Sequence, residues 1–289
     1  VTLNAGRNAD AGTATGGNVV LVDAPAITTG DGGRATLMTG SIDDSTGVTD
    51  IVGTGSGGFR YNSDESASNF STPLTAGLQA IYREQPTANI VANDESVTYG
   101  DNAPVPNGSA TGLVNGDVIG TFSIVAPVFS NASKLRAGTY DVTDTSLAAL
   151  GYNVVDDVDA VAVAQKVVTP SGFAASTKVY DGTTSSTLTA NGTLTGIELG
   201  DLVSINNAGA TFSDKNVGTD KTVTVNGLNL SGSDAANYSL GGVSTAGTTG
   251  DITAKAISVS GLATADKVYD GTTVATTPLA GAVFNGMVA

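Results

Sequence analysis

Apolar and polar residues follow one another in short runs along this chain, and the clearest run alternates strictly. Thr222-Val223-Thr224-Val225 has period two, the mark of a strand with one buried face. Nearer the N-terminus, Thr2-Leu3-Asn4, Val20-Leu21-Val22 and Thr36-Leu37-Met38 place leucines at steps of 18 (21 minus 3) and 16 (37 minus 21). Strands too short to fold alone, recurring at such steps, suit the coils of a parallel β-helix in which each rung covers the last. A set of hairpins is the other reading, but the turns here lack a consistent hairpin signature. In residues 62–85 the pattern changes: Leu74, Leu78, Ile81 and Tyr82 stand at helical spacing, with Pro86 as a stop. A short helix or turn is expected there, capping the open end of the β-helix. The expected fold class is all-β, the end of a parallel β-helix followed by tandem small β-sandwich-like repeat domains.

A repeat organises the rest. Lys178-Val179-Tyr180-Asp181-Gly182-Thr183-Thr184 returns unchanged as Lys267-Val268-Tyr269-Asp270-Gly271-Thr272-Thr273, an offset of 89 (269 minus 180). Lys166 and Gly172 recur at the same offset as Lys255 and Gly261. Identity at a fixed period signals a tandem array. The heptapeptide reads as a hairpin: Val and Tyr favour a strand, Asp-Gly a tight turn, and the Thr pair starts the return. Upstream, Val97-Thr98-Tyr99-Gly100-Asp101 takes the place of residues 178–182 at an offset of 81 (180 minus 99). Both units then carry a Gly-Asp turn, Gly116-Asp117 and Gly200-Asp201, a Gly-led strand from Gly138 and Gly218, and a late tyrosine, Tyr152 and Tyr238. Further turns are marked by Asn-Gly at Asn107, Asn115, Asn191 and Asn226. The divisions expected are residues 1–85 for the β-helical coils and cap, 86–165 and 166–254 for two β domains on one plan, and 255–289 for the start of another copy. The joints, residues 161–168 and 251–257, are extended and apolar-rich, so each unit's last strand should feed the next in a semi-rigid rod.

Composition narrows the chemistry. The 289 residues carry a net charge of −15, which repels nucleic acid and anionic lipid. With 38 Gly the chain suits many turns, and 40% apolar content argues against wholesale disorder. Neither Cys nor His is present, which removes thiol nucleophiles, disulfides, the usual structural zinc sites and every His-based triad. No run of about 18 apolar residues exists to span a membrane. The chain begins at Val1 and stops at Ala289 just after a repeat begins, and reads as an internal fragment.

Residues 178–184, Gly200-Asp201, Phe212-Ser213-Asp214-Lys215-Asn216-Val217-Gly218 and Asn237-Tyr238 resemble the YDG repeat of bacterial large exoproteins. Tyr99-Gly100-Asp101, Gly116-Asp117, Ala137-Gly138-Thr139-Tyr140 and Tyr152-Asn153 look like the related MBG domain. Ala35-Thr36-Leu37-Met38-Thr39-Gly40, Phe59-Arg60-Tyr61-Asn62-Ser63-Asp64 and Ile81-Tyr82-Arg83-Glu84 are similar to the end of the β-helical shaft in filamentous-haemagglutinin-type adhesins. The resemblance implies a protein secreted from, or attached to the surface of, a Gram-negative bacterium and exported by two-partner secretion through an outer-membrane partner. Its role would be adhesion or biofilm formation, with a host-cell or matrix glycan or protein receptor, or neighbouring bacterial cells, as partner.

Candidate sites are few. The motif residues Tyr99, Gly100, Asp101, Tyr180, Asp181, Gly182, Tyr269, Asp270 and Gly271 read as structural, because an Asp before Gly is turn chemistry. The acidic groups Asp43-Asp44, Asp64-Glu65 and Asp156-Asp157-Asp159 are weighed as glycosidase pairs and set aside as solvated loop acids. Asp156, Asp157 and Asp159 remain weak Ca²⁺ candidates, without the twelve-residue loop of the known motif. Gly53, Gly55 and Gly58 formally fit G-x-G-x-x-G but no helix is expected to open after them. Asn69, Asn107, Asn131, Asn191 and Asn237 begin N-x-Ser/Thr triplets. No catalytic residue and no cofactor is read. The expected function is a non-catalytic stalk segment, against two alternatives: a carbohydrate-binding repeat module, and a fragment of a carbohydrate-active β-helix enzyme.

Overall fold

A computed structural model describes residues 1–23, 25–275 and 279–288. It resolves into two compact units, Val1–Ala164 and Gln165–Ala289, and nearly all regular structure is strand.

The first unit opens with β1 (Thr2–Asn4), β2 (Arg34–Thr39), the short helix α1 (Val48–Val52), β3 (Phe59–Arg60) and β4 (Gly77–Tyr82). These strands form one wholly parallel sheet in the order β1-β2-β4-β3. Leu3 stands opposite Leu37, and Leu37 opposite Ala80. Two expectations are corrected here. Val20-Leu21-Val22 is not a strand; the Leu21 amide is tied to the Thr46 carbonyl at 3.0 Å. Stacked strands are thus 34 residues apart for β1 and β2 (36 minus 2) and 43 for β2 and β4 (77 minus 34), and β3 joins on the far side of β4 instead of between β2 and β4. Leu78, Ile81 and Tyr82 lie on a strand, not a helix, and Leu74 precedes it. A parallel strand flanked on both sides is buried on both faces, so Gln79, Ala80, Ile81 and Tyr82 are all inside and period two is erased.

The same unit continues with β5 (Thr87–Ala92), β6 (Glu95–Thr98), β7 (Gly108–Thr111), β8 (Phe122–Ile124), β9 (Gly138–Asp144), α2 (Thr145–Leu150), β10 (Asn153–Val155) and β11 (Asp157–Ala164). They make two sheets, β10-β5-β7 and β6-β11-β9-β8. Strand β5 lies against β9 and β11, which buries Ala88, Ile90, Phe122, Val142, Val161 and Val163 between the sheets. The parallel sheet shares this body. The Tyr61 amide donates to the Leu150 carbonyl (2.9 Å) and those of Ser71 and Thr72 to the Ala149 carbonyl (3.0 Å each). Residues 62–85 form no helix, and the acceptors for these amides come from α2.

The second unit comprises β12 (Lys166–Val167), β13 (Thr169–Ala175), β14 (Lys178–Val179), β15 (Ser185–Ser186), β16 (Leu188–Thr195), β17 (Ser204–Asn206), β18 (Gly209–Phe212), β19 (Gly218–Asn226), β20 (Asn229–Ser231), β21 (Tyr238–Ser239), β22 (Thr245–Thr253), β23 (Ser258–Ser260) and β24 (Val283–Asn285). Its main sheet runs β14-β22-β19-β18-β15. Along β19, Val223 and Val225 point in and Thr222 and Thr224 out, as the alternation predicts. They join Ala210, Phe212, Leu228 and Ile252 in one core.

The two plans share their main pairings, and the second adds β15 and the β17-β20 pair. In each, a short strand pairs in parallel with the unit's last strand, β6 with β11 and β14 with β22. The last strand then runs antiparallel to the Gly-led strand, β9 or β19, which is antiparallel to β8 or β18. A second sheet repeats the logic: β5 takes β10 in parallel and β7 antiparallel, while β12-β13 takes β21 in parallel and β16 antiparallel. Strands β23 and β24 rebuild the β13-β16 pairing at the start of the next copy.

Candidate functional site

The heptapeptide is not a hairpin. Its strands β14 and β15 sit on opposite edges of the five-stranded sheet and do not pair with each other. Four interstrand gaps of about 4.8 Å would part those edges by roughly 19 Å in a flat sheet. Lys178 Nζ nevertheless donates to the Ser185 carbonyl at 2.8 Å, so the sheet curls and the lysine clasps its edges. The same amine meets the Thr183 carbonyl (2.9 Å), Thr183 Oγ1 (2.8 Å) and Asp181 Oδ1 (2.7 Å). Asp181 Oδ1 also accepts from the Thr183 amide and hydroxyl, at 2.9 Å each. Asp-Gly is thus an Asx turn bridging two edges, not the tip of a ribbon. The Lys178 ammonium first, then the Thr183 amide, hold the Asp181 carboxyl down at about 2.

The second copy repeats these bonds. Lys267 Nζ meets the Thr272 carbonyl (3.1 Å), the Val274 carbonyl (2.7 Å) and Asp270 Oδ1 (2.8 Å), and Asp270 takes the Thr272 amide at 2.9 Å. Residues 264–275 form no strand, so the turn builds itself without the sheet. The N-terminal unit uses a variant. Asp101 reaches back to the Thr98 amide at 3.0 Å, and the glycine moves one place earlier. Both tyrosines hold the same post: the Tyr99 amide donates to the Ala164 carbonyl (2.8 Å) and that of Tyr180 to the Thr253 carbonyl (2.9 Å), each just past the edge strand. Tyr99 is buried with its hydroxyl on Ser130, Tyr180 packs partly buried on the core, and Tyr269 is 93% exposed.

A second constellation recurs in the interior. Tyr152 Oη donates to Asp117 Oδ2 (2.9 Å) and accepts from the Val114 amide (3.0 Å). Tyr238 Oη donates to Asp201 Oδ2 (2.7 Å) and accepts from the Glu198 amide (2.8 Å). Each clasp ties the Gly-Asp turn to the late tyrosine. Asp144 and Asp234, both buried, stand before α2 and before the single turn Ala235–Asn237, and bond the amides of Gly120 (2.6 Å) and Leu202 (3.0 Å). Sequence reasoning passed over these two aspartates, although each lies four to eight residues before the late tyrosine (238 minus 234, 152 minus 144).

In the N-terminal unit the clasp is enlarged. Tyr61 Oη donates to the same Asp117 oxygen at 2.5 Å and accepts from Asn115 Nδ2 at 3.1 Å. Its ring stacks on Tyr82 (5.7 Å between centroids) and meets Tyr152 edge-on (4.8 Å). Burial raises the Asp117 carboxyl above its ordinary value despite its phenol donors, and burial raises both Tyr61 and Tyr152. Tyr82 is pushed up to about 12, again by burial first. The cluster is enclosed and hydrogen-bonded within itself, which suits bracing.

Two arginines were also missed. Arg60 is buried and spreads its guanidinium over the carbonyls of Gly57 (2.8 Å), Phe59 (2.6 Å), Thr72 (2.9 Å) and Pro73 (2.8 Å). Arg83, equally buried, holds those of Ala5 (2.9 Å) and Gly17 (2.7 Å). Both stitch irregular loops to the sheet.

The remaining candidates scatter. Asp64 takes the hydroxyl of Ser66 (2.7 Å) and the amides of Ser66 (2.6 Å), Ala67 (2.6 Å) and Ala11 (2.8 Å), which in that order hold its carboxyl well below the usual range, and Glu65 takes the amide of Asn8 (2.5 Å). Asp43 and Asp44 are exposed. Asp157 bonds the Ala92 amide (2.7 Å), and the Asp159 amide donates to Asp141 (3.0 Å). Among the described residues no three acidic groups converge as a metal site would require, so Asp156, Asp157 and Asp159 are not assembled into one. Gly53 ends α1, as a stop and not as the start of a helix. Of the sequon asparagines, Asn69, Asn107, Asn131 and Asn191 are exposed and Asn237 is buried. No helix among the described residues is long and apolar enough to cross a membrane.

Comparison with known proteins agrees with these two plans. Residues 88–159 match the MBG domain (YGX type) and residues 164–248 match the YDG domain. No curated protein and no solved structure matches the chain. The chain thus carries an MBG domain and a YDG domain, whose shared strand pairings are built around a Gly-Asp turn and a late tyrosine.

Proposed function

We propose that this chain is a non-catalytic segment of a bacterial adhesin, secreted or held at the cell surface of a Gram-negative organism and exported through an outer-membrane partner. It supplies extension and contact, with a glycan or protein receptor on a host cell or matrix, or a neighbouring bacterium, as partner. One observation carries the reading: the polar side chains that recur between units are all engaged in holding turns and edges. Asp117 and Asp201 hold tyrosines, Asp181 and Asp270 hold lysines, and Asp64 and Asp157 hold backbone amides. Side chains so engaged leave exposed surface as the working part.

Beads coated with the purified chain test the idea on epithelial cells, on immobilised matrix and in a static biofilm assay. Retention above beads coated with an inert protein of similar charge is expected on at least one surface; none on any of them would overturn the adhesive reading. A glycan array run in parallel separates a carbohydrate receptor from a protein one. Turnover of polysaccharide by the chain would replace this reading with an enzymatic one.

A further inference from the structure

The turns after β7 and β16 are written alike: Thr111-Gly112-Leu113-Val114-Asn115-Gly116-Asp117 and Thr195-Gly196-Ile197-Glu198-Leu199-Gly200-Asp201. After β24 the next copy begins it again with Asn285-Gly286-Met287-Val288. The first and the last of these turns lie against what precedes their domains. In the N-terminal unit the Gly55 amide donates to the Asn115 carbonyl at 3.0 Å, and a Cβ on Gly116 would stand 2.3 Å from Thr54 Cγ2. In the second unit Met287 and Val288 close a cavity of about 560 Å³ with Tyr180, Val217 and Ile257. There a Cβ on Gly182 would stand 2.9 Å from Val288 Cγ1.

We propose that this turn is the coupling element of the array, and that the Tyr-Asp-Gly turn of a YDG repeat is the socket that receives it from the repeat that follows. The inference stands whether or not the chain serves in adhesion. Lys178 and Asp181 fix the socket's shape, Gly182 leaves its floor open, and Val288 fills it. The second Tyr-Asp-Gly turn is a built-in control. It carries the same lysine-aspartate-threonine bonds, and its Gly271 has φ +72° against +80° at Gly182, but nothing lies within 4 Å of where a Cβ on Gly271 would be. A methyl group therefore strains both turns alike and obstructs only one.

Hydrogen exchange on the whole chain reads the coupling. Strands β23 and β24 are exposed and three residues long, and a two-stranded ribbon that short is marginal alone, so its protection reports seating. In Gly182→Ala the amides of β23 and β24 should exchange about tenfold faster, in Val288→Ala several-fold faster, and in Gly271→Ala at the parent rate. Equal rates in Gly182→Ala and Gly271→Ala, or unchanged protection in Val288→Ala, would refute the socket. Should Gly182→Ala also lose protection in β19 and β22, the fold itself has failed, and the partly exposed Val288 decides alone.

Discussion

Gly151 is where the N-terminal unit is most exposed to a single methyl group. It ends α2 at φ +105°, and a Cβ built there lies 2.3 Å from the Tyr61 carbonyl oxygen and 2.8 Å from its carbon. Carbon–oxygen contacts settle at about 3.3 Å or more, so in Gly151→Ala the two backbones must part by roughly 1 Å. Left-handed φ costs an alanine about 1–2 kcal/mol. Separation also breaks the Tyr61 amide bond to Leu150, worth about 1 kcal/mol, and loosens the Tyr61–Asp117 bond, worth about 1.5–3 kcal/mol because its acceptor is ionisable. The expected loss is roughly 4 kcal/mol, a large part of a domain's usual stability. Gly77→Ala isolates the dihedral cost, since φ there is +96° and nothing lies within 4 Å of its built Cβ. Urea denaturation gives the totals, and hydrogen exchange locates them. The amides of Tyr61, Ser71 and Thr72, all bonded to α2, should lose protection while those of β9 and β11 keep it. A Gly151→Ala protein within about 1 kcal/mol of Gly77→Ala, with Tyr61 still protected, would refute the reasoning.

Asp117 has a folded pKa above its unfolded value, so the folded chain binds more protons between about pH 4 and that raised value. Its contribution to stability therefore falls as pH rises through the window, by at most about 1.4 kcal/mol per pH unit, and Asp117→Asn should flatten that slope in pH-dependent urea titrations. Asp181 runs the other way: its carboxyl drops from 3.8 to about 2, so its support is full above pH 4 and lost on descending toward pH 2. Lys178→Met should weaken that acid-side loss of order in the 178–184 turn and move it to higher pH, measured by amide exchange against pH, while the Thr183 bonds to Asp181 keep part of it. Val223, fully buried beside Phe212 and Ile252, should cost about 2 kcal/mol as Val223→Ala in thermal denaturation, and a loss under 0.5 kcal/mol would mean that the core collapses around it.

The repeat was legible because it is written in residues whose conformational demands are strong. Tyr99 and Tyr180 do occupy one post, and the Gly-Asp turns and late tyrosines meet as their shared spacing suggests. Their joining was less legible. Asp-Gly says that the chain turns, but an Asx turn between distant edges and a hairpin tip use the same two residues, and strands as short as Lys178–Val179 carry no periodicity to decide. Residues 77–82 misled in the opposite way. A central parallel strand is apolar on both faces, and its burial pattern overlaps helical spacing over so short a run. Arg60 and Arg83 follow no pattern of periodicity, yet each stands beside an aromatic residue, at Phe59-Arg60-Tyr61 and Tyr82-Arg83, and that adjacency was the available signal. The Thr-Gly preceding each Gly-Asp turn, at Gly112 and Gly196, was equally in view.

One difference between the two domains falls beside the shared clasp. Between its buried aspartate and its late tyrosine the YDG domain has one turn, Ala235–Asn237, and the MBG domain has the six-residue α2. The added length supplies Ala149 and Leu150, whose carbonyls take the amides of Tyr61, Ser71 and Thr72. Asp117 likewise differs from Asp201 in holding a second phenol, and that phenol, Tyr61, also belongs to the parallel sheet. Both additions hang on the shared clasp without altering its bonds to the late tyrosine. A domain plan whose interior is fixed by one aspartate-tyrosine pair can therefore vary the turns beside that pair to suit whatever it abuts. Such freedom favours tandem use, because each copy can be fitted to its predecessor while its own sheets stay unchanged.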